Sequence, residues 1–192
     1  MSKKTIICLW WIKDSNFKII IEGLSLRLKI GVLKILILIA IKSSGNNESI
    51  LISLKEVSLE EDVMIATLFW LSKIKIIKFD GELDLMNIDK YLIFYSDHEK
   101  YLRETYEDCW VELPTQNILN LIKSTSSNEQ LTYDAIINYL MMTKGYKIDN
   151  FKLKKLFYDE EYLKGNYIGT WRELLVKYDL VEFLDVGYVE IY

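Results

Sequence analysis

Two stretches about 104 residues apart carry the same order of signals, and that recurrence limits the fold more than any other feature of the chain. Residues 71–85 read LSKIKIIKFDGELDL and residues 174–191 read LLVKYDLVEFLDVGYVEI. Each holds an apolar helix end, a run rich in β-branched and aromatic residues, an Asp/Gly turn and a second such run. Asp80-Gly81 between apolar runs is a strong hairpin cue. A repeat of this period, carried by pattern more than by identity, predicts two similar supersecondary units in tandem.

The flanks sharpen that expectation. Ser58-Leu59-Glu60-Glu61 has the spacing of a capping box, and Glu60, Glu61 and Asp62 stand where a helix dipole favours acids. Leu59, Val63, Ala66 and Trp70 recur at steps of three and four, with Met64, Leu68 and Leu71 widening the face, so a helix is expected over 59–73. Upstream, Leu24–Lys42 reads as a helix buried on most sides, Ser43–Ser49 as a loop, Ile50–Ile52 as a strand and Leu54–Val57 as a helical turn. Helix, short strand, short helix, long helix, hairpin is the order of a winged helix-turn-helix, with residues 76–85 as the wing.

The second half repeats the order less clearly. Leu131–Lys144 is expected as a helix ended by Gly145, Asp149–Tyr158 as a second and Tyr167–Tyr178 as a third. Val181–Leu184 and Tyr188–Tyr192 then close a hairpin. Residues 5–12 and 17–22 read as two strands, or as a strand and an extended arm. Asp97–Glu112, with Tyr101, Leu102, Tyr106 and Trp110 at helical spacing, reads as a linking helix. The expected fold class is therefore α+β, mostly helical, with tandem winged helix-turn-helix units. Residues 1–95 form the first unit with a basic N-terminal arm, 96–113 the linking helix and 114–192 the second unit. Pro114, the single proline, falls near that boundary.

Charge separates the halves. Residues 1–95 hold 13 Lys/Arg against 11 Asp/Glu, and residues 96–192 hold 11 against 17, within a net charge of −4. An acidic total argues against wholesale phosphate neutralisation but leaves room for a local basic face. Ile30–Ile41 is too short, and with Lys34 too charged, to span a bilayer. The apolar patch IICLWW runs straight into Lys13 and Asp14, which does not suit a signal peptide. Cys8 and Cys109 offer no disulfide framework, so a reducing, cytoplasmic setting is expected.

Catalytic patterns are weak. His98 stands alone between Asp97 and Glu99 without a nucleophile-elbow sequence, and with Cys8 and Cys109 it is too scattered for a zinc site. The glycines are isolated, so no phosphate loop is expected. Acidic Asp159, Glu160 and Glu161 suit surface complementarity better than acid–base work. No cofactor, no metal and no enzymatic activity are expected.

Binding patterns remain. The helix over 59–73 leads with acids, which suits a major-groove reader poorly. The candidate nucleic-acid-binding residues are Lys73, Lys75 and Lys78 on the first wing, with Lys152, Lys154, Lys155, Arg172 and Lys177 in the second unit. Trp10, Trp11, Phe69, Trp70, Tyr101, Trp110 and Trp171 could form stacking platforms, but at these spacings they suit a core or an interface better.

The segment LISLKEVSLEEDVMIATLFWLSKIKIIKF, residues 51–79, resembles the N-terminal winged helix of the DnaD/DnaB-type primosomal proteins of low-GC bacteria and their phages. Glu60, Glu61, Asp62, Val63, Phe69, Trp70, Ile76 and Ile77 stand where that family has its capped helix, terminal aromatic pair and following strand. With the upstream helix the resemblance runs over residues 24–86. The family's C-terminal YxxxIxxW ending has no counterpart in residues 115–192. The resemblance implies replication initiation by self-assembly and DNA remodelling. Two functions are thus expected in competition. One is a non-enzymatic DNA-associated protein of replication or transcription. The other is a protein–protein adaptor of tandem winged helices, as in condensin-accessory or ESCRT-II subunits, with a protein partner or a homo-oligomer as its ligand.

Overall fold

A computed structural model describes residues 4–42, 49–79, 90–95, 97–144, 155–157, 169–183 and 188–191. Among them the chain is α+β and mostly helical, with small antiparallel sheets. The order is β1 (Lys4–Cys8), α1 (Trp10–Lys13), α2 (Ser15–Glu22), α3 (Leu26–Lys42), β2 (Ser49–Ser53), α4 (Leu54–Val57), α5 (Glu61–Lys73), β3 (Ile77–Phe79) and β4 (Lys90–Tyr95). There follow α6 (Asp97–Thr105), β5 (Trp110–Pro114), α7 (Thr115–Lys123), α8 (Glu129–Thr143), β6 (Lys155–Phe157), α9 (Trp171–Lys177), β7 (Val181–Phe183) and β8 (Tyr188–Ile191).

Two sheets have the same plan. In the first, β4 lies between β2 and β3; in the second, β8 lies between β6 and β7. Each therefore places its last strand in the centre, with antiparallel neighbours on both sides.

α3 is the axis of the core. It is apolar nearly all round, as a helix enclosed by neighbours must be, and its residues from Ile30 to Ile39 are buried without a break. It packs on α5, α7, α8 and β1. The approach to α5 is set by Gly31: a Cβ there would run into the Thr67 hydroxyl and crowd Val63. Buried apolar residues of both halves form one continuous cluster, from Ile7 to Val181.

The N-terminal segment differs from its expected form. Residues 17–22 are helical, not a strand. Asp14 accepts a hydrogen bond from the Phe17 amide, fixing the start of α2, and Phe17 and Ile21 then face inward one turn apart. Phe17 meets Trp10 and Trp70 edge-on, with ring centres 5.0 and 6.0 Å apart, which pins α2 to α5. The linking helix is also shorter than expected. It ends at Thr105, and Trp110–Pro114 is a strand paired with β1, Cys8 opposite Trp110 and Lys4 opposite Pro114.

The capping box does not form. α5 starts at Glu61, its N-cap Glu60 makes no side-chain cap bond, and Ser58 instead takes a left-handed turn at φ 49°. Among the described residues β3 pairs with Lys90–Tyr95, Phe79 opposite Ile93. The expected Asp80-Gly81 turn and its second strand, Glu82–Met86, lie outside the described residues. In the second half the expected helix at 149–158 gives way to strand β6 at Lys155–Phe157, and the Gly145 cap lies outside the described residues.

Candidate functional site

The strongest local equivalence in the molecule lies where α5 and α9 hand over to their strands. Ile74, Lys75 and Ile76 donate to the carbonyls of Trp70, Ser72 and Leu71, at 3.1, 3.0 and 2.9 Å. Tyr178, Asp179 and Leu180 donate to Leu174, Val176 and Leu175, at 3.2, 3.0 and 3.0 Å. These are two Schellman motifs with the same hydrogen bonds. Each bends through a left-handed residue, Lys75 at φ 63° and Asp179 at φ 52°. Each buries the apolar pair that accompanies the motif, Leu71 with Ile76 and Leu175 with Leu180. The offset is the 104 residues read from the sequence pattern.

On this shared frame the surface chemistry diverges. Lys73 and Lys177 match and both are exposed. Exposed Lys75 and Lys78 correspond to exposed Asp179 and Glu182. Lys73, Lys75 and Lys78 thus gather where α5 meets β3, and none forms an ion pair with a described residue. Arg172 is half-buried, its guanidinium 5.5 Å from the centre of the Trp171 ring, and Lys177 lies 5.8 Å from the Tyr178 ring. Lys155 falls in β6, while Lys152 and Lys154 lie outside the described residues.

The outward face of α5 is the other candidate. Val63, Met64, Thr67, Leu68 and Leu71 turn into the core. Asp62, Ala66, Phe69 and Lys73, at steps of three and four, turn to solvent. Phe69 is 52% exposed, so a large aromatic side chain stands in the middle of that face. Sequence pattern placed Phe69 among several core or stacking aromatics; of these, Trp10 and Trp11 are in the core, while Phe69 and Tyr101 are outside.

A hydroxyl-rich cleft of about 260 Å³ lies between α3, the α4–α5 turn and the α7–α8 loop. Lys34, only 1% exposed, lines it. Its ammonium donates to the Ser124 carbonyl at 2.8 Å, at the C-cap of α7, where a helix dipole favours a cation. Burial lowers its pKa to about 8. At the rim Arg27 bridges Glu60 and Glu129, so the cleft's charges are already engaged. Lys34 ties the halves together; the sequence showed only a charge within an apolar helix.

The reactive residue types are quiet. Burial pushes the Cys109 thiol up, away from the thiolate a nucleophile needs, and the Cys8 thiol donates to the Tyr106 carbonyl at 3.3 Å. His98 lies in α6, and Asp159–Glu161 are outside the described residues. Among the described residues no group of three His, Cys, Asp or Glu could hold a metal, and no helix is long and apolar enough to cross a membrane.

Comparison with known proteins gives no match to a family model, to a curated protein or to a solved structure.

Proposed function

We propose that the chain is a non-catalytic binding protein of two winged-helix-type units, and that the first unit docks a protein partner through the outward face of α5. The two-unit reading is supported by the element order around each sheet, by the central position of β4 and β8, and by the matched Schellman motifs. Protein docking is supported by one observation above all. The solvent face of α5 offers Asp62, Ala66 and a half-exposed Phe69, where a groove-reading helix would lead with cations and amides. Exposed aromatics of this kind are the usual anchors of protein interfaces.

A second reading, association with DNA, draws on the three exposed lysines at positions 73, 75 and 78. Photo-cross-linking separates the two. A benzophenone side chain at position 69 is expected to give adducts destroyed by protease and resistant to nuclease. Nuclease-sensitive adducts at 69, 75 and 78 would overturn the docking reading in favour of DNA.

A further inference from the structure

The solvent face of α5 carries a pattern that fits a copy of itself. Along the helix an exposed stripe reads Asp62, Ala66, Phe69 and Lys73, at steps of four, three and four. That is the spacing of a coiled-coil seam, and it is the same read from either end. The stripe runs about 16 Å, three helical turns. Phe69, 52% exposed, and the small Ala66 stand side by side at its centre.

Charge is separated along the same line. Glu60, Glu61 and Asp62 stand at its start, Lys73, Lys75 and Lys78 at its end and just beyond, and residues 63–72 carry none. Among the described residues neither Asp62 nor any of those three lysines forms an ion pair. Asp62 acts electrostatically on Arg27, but that guanidinium already bridges Glu60 and Glu129, so the start of the stripe stays acidic.

We infer that the occupant of this face is a second copy of the chain, its α5 laid antiparallel across a two-fold axis. The inference rests on the docking reading of α5 and names its partner. In that register Asp62 of each copy meets Lys73 of the other, and Phe69 of each covers Ala66 of the other. Acid faces base and large faces small, twice over, as a self-complementary two-fold interface requires. A parallel pair would set Asp62 against Asp62 and Lys73 against Lys73, with a gap between the two Ala66 residues. One pair of three-turn helices buries less than a standard interface, so the dimer is weak, with a Kd between about 10 µM and 1 mM.

The test is analytical ultracentrifugation of the full chain up to about 1 mM. The wild type is expected to dimerise with concentration and Phe69→Asp to stay monomeric, with unchanged circular dichroism. Asp62→Lys alone sets like charges together at both contacts, and so does Lys73→Asp alone; each is expected to weaken the dimer at least about fivefold. An equimolar mixture of those two variants restores both opposite-charge contacts, and it is expected to dimerise within about twofold of the wild type. A wild type that stays monomeric at about 1 mM overturns the proposal. A dimer that Phe69→Asp leaves intact also overturns it, as does a mixture no tighter than its two components. A benzophenone side chain at position 69 separates this inference from the reading beneath it. A cross-linked product of two copies of the chain is expected. Adducts with a different protein overturn self-pairing and leave the docking reading standing, and nuclease-sensitive adducts overturn both.

Discussion

The corner after α5 and the corner after α9 share a backbone and differ in what they show to solvent. Both make the same three capping hydrogen bonds, both use a non-glycine residue in the left-handed region, and both bury the same apolar pair. Yet one exposes Lys73, Lys75 and Lys78 where the other exposes Lys177, Asp179 and Glu182. Buried positions keep the frame, because a change there costs packing. Exposed positions are free to diverge, because a solvated charge costs little. Similarity of fold between the halves is therefore no guide to similarity of ligand.

The largest effects should come from the shared frame. Ile76→Ala and Leu180→Ala each remove a buried side chain at the same place in the motif, and each should cost about 2–4 kcal/mol in urea denaturation. A large loss at one and a negligible loss at the other would break the equivalence.

Next is the tie between the halves. Lys34 has a folded-state pKa of about 8 against the ordinary lysine value of 10.5. The unfolded chain thus holds that proton more tightly, and stability should rise as pH climbs from about 8 to about 10.5, by at most about 3 kcal/mol. Lys34→Met should flatten that rise in pH-dependent denaturation. A rise that persists unchanged in the variant would show that another group is responsible.

The left-handed residues give a smaller and opposite effect. Lys75→Gly and Asp179→Gly should each stabilise by about 0.5–1 kcal/mol, since glycine adopts that conformation without a Cβ penalty. Thermal melts of the two variants should move together. Smallest of all, Phe69→Asp should change stability by less than about 0.5 kcal/mol, as befits an exposed site, while abolishing partner binding.

The long helices were legible because their signal is local. α3, α5 and α8 follow from apolar spacing alone, and the second hairpin from its Asp/Gly turn. The misread elements depend on distant partners or on competing local bonds. Trp110–Glu112 looked helical by its aromatic spacing, but its strand form is set by Lys4–Cys8, about a hundred residues earlier. The isoleucines at 19–21 suggested a strand, and Asp14 decides for a helix with one side-chain bond. Ser58 had the spacing of a cap, but the turn from α4 draws it into the left-handed region. Of the exposed features, the lysine corner was readable and the outer side of α8 was not. Tyr133, Ile137 and Met141 stood in the sequence as part of an apolar helix, and only the packing shows that Met141 is half-exposed.

The claim that α5 faces a protein and not DNA is tested most directly by a salt titration of a labelled duplex. The account predicts binding no tighter than about 100 µM at low salt, and the same for a Lys73→Glu, Lys75→Glu, Lys78→Glu triple variant. Micromolar binding whose logarithm falls with log salt at a slope of about −3, and which the triple variant loses, would contradict it.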